Sequence, residues 1–290
     1  MELWYTEEQT NNVRFSIRCD KQIYAAESDY QRIEIFSTPE FGKILILDDR
    51  IMLTEKDEFI YHEMITHVPM AVHPCVKKVL VIGSGPIIIG QAAEFDGGVT
   101  AELTKYDNIE HIDLVEIDKM VVDACLEYLP DVSGKLLDKK VTIHIDDGLR
   151  YVRSCENQYD LIIVDSTDPV GPGEGLFTKE FYGNCYKALN ESGILVNQHE
   201  SPYYSVYARA MRLAHKKIAD FFPIVRVYQA HIPTYPSGHW LFGFASKKFD
   251  PIKDLDADAW NKRGLKTRYY NTELHKGSFA LPNYVLEALG

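Results

Sequence analysis

Tyr159-Asp160-Leu161-Ile162-Ile163-Val164-Asp165-Ser166-Thr167-Asp168-Pro169-Val170-Gly171-Pro172 divides into an apolar run and a polar turn bounded by prolines. The run is aliphatic without alternation, the pattern of a strand buried on both faces of a parallel sheet. Asp165 and Asp168 therefore follow the C-terminal end of a strand, the edge at which open α/β sheets bind ligands. The Pro-Val-Gly-Pro turn stops a helix from starting there. Two carboxylates so placed fit a metal site, an acid/base pair or a clamp for a cation. A polar turn with no chemistry is the ordinary alternative.

Around this strand the same pattern repeats. Apolar runs at 79–83, 112–116, 141–145, 161–164, 193–197, 224–230 and 240–245 alternate with helical periodicity. That alternation predicts an α/β fold with a Rossmann-like, mostly parallel seven-stranded sheet over residues 57–290. Its first helix spans Lys56–His67 and ends near Pro74. Upstream the period changes. Val13–Ile17, Arg32–Phe36 and Lys43–Leu47 alternate with period two, separated by turn signals such as Ser37-Thr38-Pro39-Glu40. They predict a small antiparallel β-domain over residues 1–56.

Composition narrows the function. The 290 residues are 46% hydrophobic and 26% charged, ordinary for a globular protein. No apolar run approaches the roughly 20 residues that span a bilayer. The acidic, aromatic start Met1-Glu2-Leu3-Trp4-Tyr5 is unlike a secretory signal, so a cytoplasmic location and no membrane partner are expected. Five scattered cysteines show neither metal-ligand spacing nor an even disulfide framework. A formal net charge of −12 argues against nucleic acid as a partner and is compatible with a cationic substrate.

Three further strand ends carry nucleotide-type signals. Val79-Leu80-Val81-Ile82-Gly83-Ser84-Gly85 runs from a strand into a glycine loop. Val115-Glu116-Ile117-Asp118 ends the next strand with an acid, the position that bonds ribose hydroxyls in Rossmann units. Ile145-Asp146-Asp147-Gly148 sets another acid and glycine after a third strand. One such signal is weak. Three at one sheet edge point to a bound nucleoside, against ordinary α/β turns with incidental acids.

Leu53-Thr54-Glu55-Lys56-Asp57-Glu58-Phe59-Ile60-Tyr61-His62-Glu63-Met64-Ile65 and Val164–Pro172 resemble signatures of the polyamine aminopropyltransferase family, the spermidine synthases. So do Pro233-Thr234-Tyr235-Pro236-Ser237-Gly238 and Tyr269–Pro282, and the resemblance spans nearly the whole chain. It implies a homo-oligomer, dimer or tetramer, that moves an aminopropyl group from decarboxylated S-adenosylmethionine to putrescine. The donor is a co-substrate; no permanently bound cofactor and no metal are implied. A neutral thioether already leaves easily from a sulfonium, so the obstacle is the proton on the attacking ammonium. An acid must take that proton and aim the nitrogen. By resemblance this is Asp165, with Asp168, Tyr61, Tyr235, Gln198 and Glu200 holding the diamine. Resemblance also assigns the donor side. Glu116 takes the ribose and Asp147 the adenine amino group, beside Gly148 and Pro172. Gln31 and His62 serve the aminopropyl region, Asp96 its ammonium, and Gly83 and Gly85 the loop.

One departure stands out. The family's compact Gly-Gly-Gly-Asp-Gly-Gly loop is here interrupted between Gly83 and Asp96. The stretch Gly83–Asp96 resembles a nucleotide-loop segment of the carbamoyl-phosphate synthase large subunit, as an insertion of about a dozen residues at 84–95. Spacing agrees, because the Rossmann acid lies about 20 residues past the glycines and Glu116 meets that count from Gly98, not Gly85. Either Ile87–Phe95 forms a short helix, leaving Gly83 and Gly85 near the nucleoside and displacing Asp96, or the stretch loops out. The second leaves an isoleucine run exposed, so the first is favoured. Met52, often glutamine in the family, and Ala101, often arginine, are smaller departures. An S-adenosylmethionine methyltransferase and a folded but catalytically impaired synthase remain the alternative functions.

Overall fold

The computed structural model describes residues 2–83, 97–165 and 178–290. The N-terminal part holds β1 (Leu3–Thr10), β2 (Val13–Cys19), β3 (Lys21–Glu27), β4 (Arg32–Thr38), β5 (Gly42–Leu47) and β6 (Arg50–Thr54). β1 and β2 form an antiparallel hairpin, and β3-β4-β5-β6 an antiparallel four-stranded sheet. Period-two runs account for β2, β4 and β5. β1 and β3 are largely exposed and carry little apolar alternation, so pairing with a neighbour makes them strands. Asp48 and Asp49 both take positive φ (43° and 64°), the two-residue turn that suits the twist of a hairpin.

The second sheet contains β7 (Lys78–Ile82), β8 (His111–Glu116), β9 (Val141–Ile145), β10 (Tyr159–Val164), β11 (Leu189–Gln198), β12 (Ile224–His231) and β13 (His239–Ser246). Its order is β12-β13-β11-β10-β7-β8-β9, parallel from β11 to β9 and antiparallel at β13 and β12. All seven expected strands are present. Val79 and Val81 with Leu161 and Ile163 join one core, while Leu80 and Ile82 with Ile162 and Val164 join another. The two cores lie on opposite faces, as the alternating pleat requires, which is why these runs read as continuously apolar.

Helix α1 (Glu58–Met70) is buried from Ile60 onward and joins the core that also takes in β4 and β5. It packs on β10, β11, β12 and on α2 (Gly97–Thr104). Its buried Glu63 accepts three backbone N–H groups, from Arg268 (2.7 Å), Tyr269 (2.8 Å) and Tyr270 (2.8 Å), which pins the C-terminal segment to the helix. α2 runs from Gly97 to Thr104 and includes two glycines. Gly98 belongs inside it because a Cβ there would come 2.1 Å from His62 Nδ1. Among the described residues no helix is long and apolar enough to cross a membrane.

Candidate active site

The parallel strands present their C-terminal ends in a row. Gln198 ends β11, Asp165 follows β10, Gly83 follows β7, Glu116 ends β8, and Asp146-Asp147 follow β9. The ladder continues past the strands through Asp165 N–H to Ile82 O (2.9 Å), Gly83 N–H to Val115 O (3.1 Å) and Asp146 N–H to Glu116 O (3.2 Å). With neighbouring strands about 4.8 Å apart, the row from Gln198 to Asp147 spans roughly 19 Å, room for two small molecules end to end. Sheet order alone puts the expected diamine residues at one end and the nucleoside residues at the other.

Asp165 stands between them and is 1% exposed. Tyr61 on α1 donates its hydroxyl to Asp165 Oδ1. The next residue, His62, places Nδ1 2.5 Å from Glu58 Oε2, one helical turn back. Burial would push this imidazole toward neutrality. The Glu58 hydrogen bond and charge, followed by the charges of Asp165 and Glu102, outweigh burial and raise its pKa above the ordinary 6.5.

On the diamine side, Gln198 Nε2 donates to Glu200 Oε1 (2.9 Å) and Glu200 N–H donates to Gln198 Oε1 (3.0 Å). Glu200 is 1% exposed yet adopts φ 70°, a left-handed backbone that costs a non-glycine residue about 1–3 kcal/mol and clusters at functional sites. The Tyr61 ring lies 5.9 Å from Tyr235 and 5.1 Å from Phe242, and Tyr235 packs edge-on to Trp240 at 4.8 Å. These aromatics form a buried apolar wall. Tyr235 directs its hydroxyl to Met52 O at 2.7 Å.

The nucleoside side is held together by Asp118, which caps α3 (Lys119–Tyr128). Asp118 Oδ1 accepts Met120 N–H (2.9 Å), Oδ2 accepts Ser28 Oγ–H (2.7 Å) and Gln31 Nε2–H (3.0 Å), and Asp118 N–H donates to Glu116 Oε1 (2.8 Å). Gln31, from the N-terminal sheet, is thus set beside the ribose candidate. Asp147 Oδ1 caps the helix Gly148–Arg153 by accepting Leu149 N–H at 2.8 Å. Gly85, Asp96, Asp168, Pro172 and the expected helix at 87–95 lie outside the described residues. Among the described residues no three His, Cys, Asp or Glu side chains are grouped to hold a metal ion.

Asp57, Glu58, Glu63 and Asp118 are the polar groups that residue-by-residue reading passed over. Their only sequence signal is density: Asp57, Glu58 and Glu63 crowd an otherwise buried helix, where carboxylates are rare unless partnered.

The family profile described as spermine/spermidine synthase domain matches residues 58–256, and that of the spermidine synthase tetramerisation domain matches residues 3–55. A polyamine aminopropyltransferase of Alkaliphilus oremlandii (strain OhILAs) is 66% identical over 289 residues, covering 100% of this chain and 98% of the relative. One from Clostridium perfringens (strain ATCC 13124) is also 66% identical, with the same coverage. A crystal structure of spermidine synthase in complex with the transition-state analogue AdoDATO superposes with TM-score 0.93 at 45% identity, covering 99% of this chain and 95% of that one. Spermidine synthase from Thermotoga maritima gives TM-score 0.91 at 45% identity, covering 99% and 94%.

Proposed function

The chain belongs to the spermine/spermidine synthase family, and from that membership we infer how its site works. It is a polyamine aminopropyltransferase of the spermidine synthase type. It transfers an aminopropyl group from decarboxylated S-adenosylmethionine to putrescine, giving spermidine and 5′-methylthioadenosine. The observation that carries the residue assignment is the Tyr61 hydroxyl on the buried Asp165 carboxylate, next to Gln198 in the row of strand ends. One amine of the diamine binds beside the Tyr61 hydroxyl, gives its proton to Asp165 and attacks the carbon next to sulfur. The new C–N bond forms as the C–S bond breaks, and the electron pair leaves with sulfur as a neutral thioether.

The other amine extends along β11 toward Gln198 and Glu200, with its methylenes between Tyr61, Tyr235 and Trp240. Asp168 adds a second carboxylate by resemblance. Glu116 and Asp147 take the ribose and adenine, beside Gly148. Gln31 and His62 face the aminopropyl arm, with Gly83, Gly85, Asp96 and Pro172 assigned by resemblance. Residues 1–56 serve as the N-terminal β-domain and 57–290 as the catalytic domain. The tetramerisation-domain match supports a homo-oligomer, dimer or tetramer, and five unpaired cysteines support a reducing, cytoplasmic setting.

Release of methylthioadenosine with putrescine, compared with butylamine, tests the assignment. Putrescine should be used and butylamine, lacking the second ammonium, should be a poor acceptor. Equal rates would remove Glu200 and Gln198 from the acceptor site. The stretch at 84–95, which resembles a carbamoyl-phosphate synthase loop, is read as an insertion within the compact glycine loop. Deleting it should tighten donor binding in calorimetry, and unchanged affinity would show that the insertion leaves the donor site alone.

A further inference from the structure

Asp57 occupies the N-cap position of α1, where an aspartate ordinarily turns its carboxylate onto the helix's first N–H groups. Here it makes no cap bond. Its carboxylate joins one near residue and one far away in the chain. Oδ1 accepts the Thr54 hydroxyl at 2.6 Å, and Oδ2 accepts both the Thr234 hydroxyl (2.8 Å) and the Thr234 N–H (3.2 Å). All three residues are buried, at 5% exposure for Asp57, 0% for Thr54 and 1% for Thr234. A buried carboxylate persists only when its oxygens are satisfied, so this junction is strongly specified.

The junction joins three elements at once: the end of β6, the start of α1 and the loop between β12 and β13. That loop is closed on itself by Tyr235 N–H to Ile232 O (3.2 Å) and Gly238 N–H to Tyr235 O (2.8 Å), so Tyr235 moves with Thr234. Two further bonds hold the same loop: Tyr235 Oη to Met52 O (2.7 Å), just before Thr54, and Ser201 Oγ with Ser237 Oγ (2.8 Å). Tyr61, one turn into α1 from Asp57, forms the opposite wall 5.9 Å away.

We propose that Asp57 is a positioning residue for the acceptor: through Thr234 it sets the gap between Tyr61 and Tyr235, and so the fit of the diamine's methylene chain. The proposal rests on the acceptor assignment made above. Asp57 touches no reacting atom in this scheme; it acts through the walls. Asparagine keeps the size but only one acceptor oxygen, so its N–H₂ faces either the Thr54 hydroxyl or the Thr234 hydroxyl and N–H, and one side of the junction loses its acceptor.

Calorimetry with putrescine and, separately, methylthioadenosine tests it on the full-length protein. In Asp57→Asn, putrescine affinity should fall about tenfold or more from misplacement of one wall. Methylthioadenosine affinity should not change. Thr234→Val, which removes only the hydroxyl, should shift putrescine in the same direction by less, and it carries the test if Asp57→Asn does not fold. The double variant should match Asp57→Asn alone. Unchanged putrescine affinity with lowered thermal stability, or equal losses for both ligands, would overturn the proposal and leave Asp57 as a fold determinant only. A wild type that binds no putrescine would instead sink the acceptor assignment. The junction would then be judged by a crystal structure of Thr234→Val, where a Tyr61–Tyr235 separation still at 5.9 Å would overturn it.

Discussion

On the nucleoside side, Gly83, Glu116 and Asp147 each stand at or just past the end of their own parallel strand, so the backbone ladder fixes where they are. On the diamine side, Tyr61 comes from a helix, Tyr235 from a loop and Glu200 from beyond a strand, and they meet through buried side-chain bonds. The first construction is modular: an acid at one strand end can change while its neighbours keep their places. The second is cooperative, because each wall depends on a junction elsewhere. Changes on the nucleoside side should therefore act on one ligand. Changes on the diamine side should spread to residues that touch none.

Asp165 is where the two constructions meet, and its replacement gives the largest expected effect. Asp165→Asn removes the proton acceptor but keeps the hydrogen-bonding shape toward Tyr61. Turnover should fall by about 10²–10⁴, the usual size of a general-base contribution. Methylthioadenosine affinity, measured by calorimetry, should hold. A variant that loses nucleoside affinity as severely as turnover would break the division between the two sides.

The same division governs what the sequence discloses. Strand-end residues are legible because an apolar run followed by Gly, Glu or Asp-Gly fixes both strand and position, as at β7, β8 and β9, and the other four central strands follow from apolar runs alone. The N-terminal sheets are half legible. β2, β4 and β5 alternate, whereas β1 and β3 are held by their partners rather than by their own pattern. The aromatic wall and its latches are not legible by spacing at all. Asp57 and Thr234 are 177 residues apart, and no local periodicity links them. Only the resemblance singled out Tyr61 and Tyr235, and it did not reveal the Asp57 junction. Gly98 is a related case: the His62 ring takes the space of its side chain, and no local pattern shows that.

Glu116→Gln sharpens the modular half. It keeps an oxygen to accept Asp118 N–H but loses the charge that the proposed ribose contact needs. Donor and methylthioadenosine affinity should drop about tenfold to a hundredfold, the range for a hydrogen bond to a charged group. Putrescine binding should be untouched. A comparable loss for putrescine would mean that the strand ends are coupled and that the row is not a set of independent positions.

The smallest effect concerns His62, which follows Tyr61 on α1 and is proposed to face the donor. Burial alone would hold its imidazole neutral; Glu58, and then Asp165 and Glu102, raise its pKa above the ordinary 6.5. A group whose pKa is raised by folding adds stability that is full below its unfolded value and fades as pH rises through the folded one. Glu58→Gln removes the strongest raising influence. The wild type should therefore exceed the variant in stability by on the order of 1 kcal/mol at pH values just below 6.5, with the gap closing under alkaline conditions. Donor affinity should move the opposite way with pH, since a protonated His62 opposes a cationic sulfonium and ammonium. Urea denaturation and calorimetry across about pH 5.5–9 measure both, the span in which an imidazole changes charge. A stability gap that stays constant over that range would show Glu58 to be a packing partner of His62 and nothing more, and would leave the donor's pH dependence to groups at the strand ends.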